Sequence, residues 1–338
     1  MAKEYTVAVV GALGVVGSEM IATLERRDFP IKELVPLDVA SQVGKEVLFK
    51  GKKWIAKEAK KGAFVGVDIA IFSAGATASA ALAPIAVAEG ATVVDNSSNW
   101  RMDPSIPLVV PEVNPQDLDW NKGIIANPNC STTQMVVALK PIHDAATIKR
   151  VVVSTYQAIS GSGGKAIEGM KKEVEEVVST GSLSSPKVYK KQIFYNAIPH
   201  IDVFEEGDYT KEEYKMVNET KKILGESVEV TATCVRIPVW YGHSESINIE
   251  TEKKLSAKEA KELLAKAPGI KLIDDPAQEM YPTPLESNDE DLTMIGRVRE
   301  DFTIPNGLNM WVVSNNIRKG AALNAVQIAE TLIQRKLV

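Results

Sequence analysis

Residues 5–28, "YTVAVVGALGVVGSEMIATLERRD", join an unbroken apolar run to three glycines and then to a helical stretch. A short run that is apolar on both faces predicts a strand covered on both sides, the habit of parallel sheets. Gly11, Gly14 and Gly17 permit a tight turn and let backbone N–H groups approach a pyrophosphate, and the helix start behind them favours negative charge. The alternation continues through "KELVPLD" (strand), "VDIAIFSAG" (strand), "ALAPIAVAEG" (helix), "ATVVDNSS" (strand) and "GIIANPN" (strand). Strands of this kind alternating with helices predict an α/β fold, a Rossmann-like doubly wound parallel sheet. The spacing is G-x-x-G-x-x-G rather than the commoner G-x-G-x-x-G. The preceding strand and following helix carry the dinucleotide reading against a glycine turn without a ligand.

The pattern changes after Lys140. "IKRVVVSTYQAIS", "SVEVTATCVRIPVW", "SINIETEKK" and "GLNMWVVSNNI" are longer strand signals, and "KAIEGMKKEVEEVVST" is an amphipathic helix. These predict a mixed or antiparallel sheet, hence a second, α+β domain. A chain of 338 residues suits two domains of roughly 100–200 residues each. The expected division is 1–130 for the dinucleotide-binding domain, completed by a C-terminal helix over 318–338, and 131–317 for the second domain. No repeat or low-complexity segment interrupts it.

Other classes are disfavoured. A net charge of −5 gives no reason to expect nucleic acid or an anionic membrane as partner. The basic stretch 44–62 reads as a solvated hairpin or helix face, with Lys45 as the exception. Val67 to Val94, the most apolar region, is broken by Gly75, Pro84 and Gly90 and is not a membrane span. The opening residues contain a four-residue apolar run before a glycine, so no signal peptide is expected. Two cysteines form no disulfide framework, which points to a reducing, cytoplasmic home.

An acidic residue about 20 positions beyond the glycines holds the ribose 2′-hydroxyl in NAD-binding folds, and Asp38 is placed for that. "ASQVGK" follows, and Ser41, Gln42, Gly44 and Lys45 together suit a 2′-phosphate. At this point either dinucleotide fits.

Cys130 stands in "NPNCSTTQMVVALKPI", behind two asparagines and a proline and ahead of Ser131, Thr132 and Thr133, which read as cap residues rather than core. It is the thiolate that attacks, and the N–H groups of a first helical turn favour it. The same groups, with Asn129 beside them, suit the oxyanion of a tetrahedral intermediate. Cys234, in "VTATCVRIPV", reads instead as a buried inert thiol within a strand.

A nucleophile wants a proton-handling partner, and the chain has three histidines. His143 closes a helix, where a capping role is the simpler reading. His200, in "NAIPHID", suits packing. His243, in "RIPVWYGHSES", sits in a tight turn after a strand and is the best placed to reach a cleft. Arg236, on that strand, suits a carboxylate held by two hydrogen bonds, against a surface ion pair. Arg101 and Lys215 are cations in polar surroundings, and neither points to a site by itself.

Taken together, "GALGVVG", "NSSNWRM", "NPNCSTTQ", "YQAISGSGG", "RIPVWYGHSE" and "RKGAALNAVQIAE" resemble the aspartate-semialdehyde dehydrogenase family over nearly the whole length. The resemblance implies NADPH-dependent reductive dephosphorylation of L-aspartyl-4-phosphate to L-aspartate 4-semialdehyde, through a thioester on Cys130, with His243 as acid/base group and Asn129 at the oxyanion. It supplies the pathway to lysine and diaminopimelate, threonine, methionine and isoleucine. It implies that Gln157 orients substrate, that Arg236 holds the α-carboxylate, and that Arg101 and Lys215 hold phosphate, with Glu212 near Lys215. Gly11, Leu13, Gly14, Val15, Val16, Gly17, Ser41, Gln42, Ser73, Gly75, Ser160, Gly161 and Asn316 fall where the family touches its cofactor. No metal is implied. The second domain becomes catalytic and dimerising, in a homodimer or a dimer of dimers.

Two departures stand out. "ASQVGK" replaces the "ARSAG" loop of many members, which with Asp38 favours NADP while leaving NAD as a secondary cofactor. His200 replaces the glutamine of "IPQID". Three other readings compete. N-acetyl-gamma-glutamyl-phosphate reductase carries a "GCYPT"-like stretch that "NPNCSTT" does not match, and an acyl-CoA reductase would alter the phosphate-site cations. A non-catalytic dinucleotide-binding protein would make Cys130 dispensable.

Overall fold

The computed structural model describes residues 3–338. The chain divides into two compact units, one reaching to Asn129 and resuming at Ala321–Val338, the other spanning Cys130–Gly320.

The first unit holds β1 (Tyr5–Val10), α1 (Val15–Arg26), β2 (Ile31–Asp38), β3 (Glu46–Phe49), β4 (Lys52–Ile55), β5 (Lys57–Glu58), β6 (Ile69–Phe72), α2 (Ala76–Ala88), β7 (Thr92–Asp95) and β8 (Ile124–Ala126). Six of these strands form a parallel sheet in the order β5, β2, β1, β6, β7, β8. The unbroken apolar run of β1 has a simple cause. Val7 and Val9 pack into one buried cluster, with Met20, Ile21 and Leu24 of α1. Ala8 and Val10 pack into another, with Ala83 and Ala86 of α2. A strand covered on both faces has no polar side to show. The basic stretch is largely the β3–β4 hairpin, turned at Lys50 and Gly51, both with positive φ, and its lysines are mostly exposed.

The second unit runs through α3 (Cys130–Ala146), β9 (Ile148–Gln157), α4 (Gly164–Thr180), α5 (Lys211–Leu224), β10 (Glu229–Arg236), β11 (His243–Thr251), α6 (Ala257–Leu264), β12 (Ile270–Leu272), β13 (Thr293–Asp301) and β14 (Gly307–Ser314). Its sheet, in the order β10, β9, β11, β14, β13, β12, is mixed. β9 pairs parallel with β10 and antiparallel with β11. α3 packs on β9, β11, β13 and β14, and α5 covers β10. A π-helical turn at Arg318–Ala322 then leads into α7 (Leu323–Gln334). The apolar face of α7 joins the first unit's core through Val326, Ile328, Ala329 and Leu332.

Candidate active site

In the first unit the strand order reverses between β1 and β6, the place where doubly wound sheets open a crevice at their carboxyl ends. Both edges of that crevice are tightly built. Gly11 has φ +80, and a Cβ there would lie 2.5 Å from the Ser73 carbonyl oxygen that follows β6. A Cβ on Gly17 would lie 2.0 Å from the Gly11 carbonyl oxygen, so only glycine lets α1 start this close to the turn. Gly14 caps α1 with no side-chain hydrogen bond. The N–H groups of the first turn, from Val15 onward, therefore have no capping side chain, as an anion cradle requires.

Asp38 is tied into this turn. Its carboxylate accepts the backbone N–H of Leu13 at 2.9 Å and that of Val39 at 2.8 Å. Ser41 and Gln42 follow in a short helical turn, and Gly75, with φ +81, caps α2. Arg101 and Asn129, also in this unit, are both buried. The Arg101 guanidinium donates to the Asn96 carbonyl oxygen at 2.9 Å.

In the second unit the strand register does the assembling. Arg236 pairs with Gln157 across β10 and β9. Ser244 pairs with Tyr156 across β11 and β9, so His243 arrives beside Gln157. His243 also pairs with Ser314 of β14. Arg236, Gln157 and His243 thus stand in one row at one end of the sheet. His243 is the first residue of β11, not part of the turn expected from sequence, because the β14 ladder extends to it and the chain bends before it, at Pro238, Trp240 and Tyr241, with Gly242 at φ +88.

The row is held by named contacts. Thr155 Oγ1 donates to Gln157 Oε1 at 3.0 Å, and Gln157 Nε2 donates to Glu212 Oε1 at 3.0 Å. Glu212 Oε2 takes a hydrogen bond from Lys215 Nζ at 3.0 Å, and Lys215 also reaches Asp202 at 2.9 Å. A capping box between Thr210 and Glu213 sets the start of α5 that presents Glu212 and Lys215. Arg236, buried, donates to the Ala158 carbonyl oxygen at 2.6 Å, and its Nε has no partner among the described residues.

His243 is fully buried. Its Nδ1 accepts the Ala158 N–H at 2.9 Å. In the neutral ring the proton therefore sits on Nε2, which has no partner among the described residues. Burial and the nearby Arg236 guanidinium push its pKa down to about 3, against a weaker opposing pull from Glu212. A Cβ on Gly161 would come within 3.1 Å of Arg236 Nη1 and 3.4 Å of His243 Nε2, so glycine lets the loop pass close to both groups. Asn316 ties the flanking loops, donating to Ser160 Oγ at 2.9 Å and accepting the Gly242 N–H at 3.0 Å.

Cys130 is the first residue of α3 and is half-buried. Ser131, Thr132 and Thr133 are completely buried rather than exposed caps, because α3 is laid against the sheet from its first turn. Gly320, in the π-helical turn, faces the cysteine. A Cβ there would lie 2.8 Å from the Cys130 Cβ, a juxtaposition that nothing in the sequence signals. Cys234 is fully buried, and burial, with Glu212 next, raises its thiol pKa far above the usual range. His143, in the last turn of α3, accepts the Ile148 N–H at 3.2 Å. His200 stacks on Phe204, ring centroids 4.3 Å apart. It lines a cavity of about 880 Å³ with Tyr189, Lys190, Lys191, Asp202 and Arg236.

The row at this end of the sheet, with Glu212, Lys215, Ser160, Gly161 and Asn316, therefore comes together within the second unit. The glycine turn, Ser41, Gln42, Ser73, Gly75, Arg101 and Asn129 belong to the first. Sequence reading missed Glu245. It lies two residues beyond His243 on the same face of β11, is fully buried, and neither carboxylate oxygen has a hydrogen-bond partner among the described residues. The period of two in "HSE" was its signal.

Comparison with known proteins shows which family the chain resembles. Residues 6–120 match the family described as "Semialdehyde dehydrogenase, NAD binding domain", and residues 139–319 match "Semialdehyde dehydrogenase, dimerisation domain". Aspartate-semialdehyde dehydrogenase of Aquifex aeolicus is 54% identical over 99% of each chain, and that of Bacillus subtilis 48% identical over the full length of both. The crystal structure of aspartate semialdehyde dehydrogenase II complexed with ASA from Vibrio cholerae superposes with a TM-score of 0.96 at 43% identity, covering 98% of this chain and 99% of that one. Aspartate semialdehyde dehydrogenase with NADP from Candida albicans gives 0.77 at 26% identity, covering 99% and 100%.

Proposed function

Because the chain belongs to the aspartate-semialdehyde dehydrogenase family, oxidoreductases acting on an aldehyde group, we propose that it performs the NADP-dependent, phosphorylating form of that reaction. In the biosynthetic direction the Cys130 thiolate attacks the carbonyl carbon of L-aspartyl-4-phosphate. The carbon–sulfur bond forms, phosphate leaves with the electron pair of the carbon–oxygen bond, and a thioester remains. The nicotinamide cofactor, when bound, supplies the hydride that reduces the thioester to the aldehyde. The thiolate departs and is regenerated.

The residues of this chain divide the remaining work. The first turn of α3 and Asn129 offer donors to the oxyanion. His243, with Nδ1 committed to Ala158, presents Nε2–H to the oxygen that becomes charged. Arg236, its Nε unused by the protein, suits the α-carboxylate. Gln157, pinned by Thr155 and Glu212, orients the substrate, and Arg101 and Lys215 take the phosphate. Gly11 to Gly17, Ser73 and Gly75 fit the pyrophosphate end of a dinucleotide, and Ser160, Gly161 and Asn316 its nicotinamide end. Asp38 already accepts two backbone N–H groups, which supports Ser41, Gln42 and Lys45 as holders of a 2′-phosphate and NADP over NAD. Association through the second unit, as a homodimer or dimer of dimers, and a place in the reducing cytoplasm complete the reading. The product then serves the lysine, threonine, methionine and isoleucine branches.

The observation that carries this reading is the single row of Arg236, Gln157 and His243, joined to Glu212 and Lys215. The test runs the reverse reaction, with purified protein, aspartate semialdehyde, inorganic phosphate and NADP or NAD, followed by absorbance of the reduced nicotinamide. Phosphate-dependent reduction, faster with NADP, is expected. Reduction that ignores phosphate, or requires coenzyme A instead, would overturn the assignment.

A further inference from the structure

A lysine ammonium on a flexible four-carbon stem is a poor device for recognising one phosphate oxygen unless something fixes it. Two carboxylates hold Lys215, Glu212 Oε2 at 3.0 Å and Asp202 Oδ2 at 2.9 Å. Glu212 is itself anchored to Gln157, which leaves Asp202 as the other end of the clamp. Asp202 is built for that place. Its backbone adopts φ +70, a conformation that aspartate and asparagine tolerate better than other side chains. Its Oδ1 accepts the Val203 N–H at 3.0 Å, which turns Oδ2 toward Lys215. Thr155, Gln157, Glu212, Lys215 and Asp202 thus form one continuous chain of hydrogen bonds from the sheet to this loop.

We propose that Asp202 is a positioning residue for phosphate recognition: with Glu212 it takes two of the three Lys215 N–H donors and leaves the third aimed at a phosphate oxygen. The proposal rests on Lys215 being a phosphate-binding cation, as argued above. The charge state agrees. Burial alone would lower the Lys215 pKa, but Glu212 and Asp202 outweigh it and keep the ammonium protonated.

Asp202→Asn separates positioning from loop structure. Asparagine accepts the same φ and can keep the Val203 turn through its carbonyl oxygen, but it carries no charge for Lys215. In the phosphate-dependent reverse reaction this variant is expected to raise the KM for phosphate about tenfold, the loss of one charge-assisted hydrogen bond. Its kcat, its KM for aspartate semialdehyde and its melting temperature should stay near wild type. An unchanged phosphate KM would overturn the proposal, as would a lowered one, since Asp202 would then be competing with phosphate. A fall in activity that tracks a fall in melting temperature would also count against it. Lys215→Met is assayed in parallel. If that variant leaves the phosphate KM unchanged, the fault lies in the reading of Lys215 itself. If it raises the KM, adding Asp202→Asn to it should cause no further rise, because the clamp then has nothing to hold.

Discussion

The two cysteines of this chain lie in the same unit, and their surroundings set them to opposite uses. Cys130 opens α3, half-buried, with glycine rather than a side chain facing it at position 320. Cys234 lies inside β10 under α5. Its neighbours across the ladder are Thr155 and, one strand further, Glu245. A helix start offers N–H groups to a developing charge, whereas the Cys234 N–H is already committed to the Glu213 carboxylate at 3.0 Å. Burial and nearby carboxylates then hold the Cys234 thiol protonated. The lesson is that the backbone element, more than the residue type, decides whether a thiol can react.

The strongest way to break this comparison is to remove the reactive sulfur. Cys130→Ser should lower turnover by on the order of 10³-fold or more, since a hydroxyl without an adjacent base is a weak nucleophile. Cofactor affinity, followed by fluorescence titration, should remain nearly unchanged. A large loss of affinity, or a variant that still turns over, would place the chemistry elsewhere.

His243→Ala comes next, with an expected loss of about 10²- to 10⁴-fold in kcat. Since the ring is neutral above about pH 3, the free enzyme should show no limb from His243 in kcat/KM between about pH 5 and 8. A limb in that window that vanishes in the variant would contradict the buried neutral ring.

These predictions also mark how far the sequence could be read. The doubly wound sheet was legible because β1 buries both faces, and an unbroken apolar run says so directly. The helix at Cys130 was legible from Pro128, Asn129 and the hydroxyl residues behind them, although those hydroxyls turned out to be core. The row of Arg236, Gln157 and His243 was not, since it depends on the register of strands separated by about 80 residues, which no local pattern encodes. Gly320 opposite Cys130, and Asp202 on Lys215, were hidden for the same reason.

Glu245 sharpens the comparison from two strands away, on β11. Burial holds its pKa well above 4.5, so in the folded protein it keeps its proton while the unfolded chain loses it. As pH rises above 4.5 the unfolded state is therefore favoured, by about 1.4 kcal/mol per pH unit until the folded group also titrates. Glu245→Gln removes this penalty. Its melting temperature should exceed wild type at neutral pH, and the gain should shrink as pH falls toward 4.5. A gain independent of pH would mean that Glu245 is not carried as a neutral acid.

The smallest effect belongs to Cys234. Cys234→Ala removes one buried sulfur and leaves the β9–β10 ladder intact, so a cost of about 1 kcal/mol in stability and an activity within twofold of wild type are expected. Labelling gives the sharper contrast. Iodoacetamide acting on the native protein should modify Cys130 and abolish activity while Cys234 stays unmodified until the protein is unfolded, as peptide mass mapping would show. Modification of Cys234 at a comparable rate in the native state would mean that β10 opens readily at its edge. The protection of that thiol would then owe less to burial than to slow chemistry, and the division between the two cysteines would become one of rate alone.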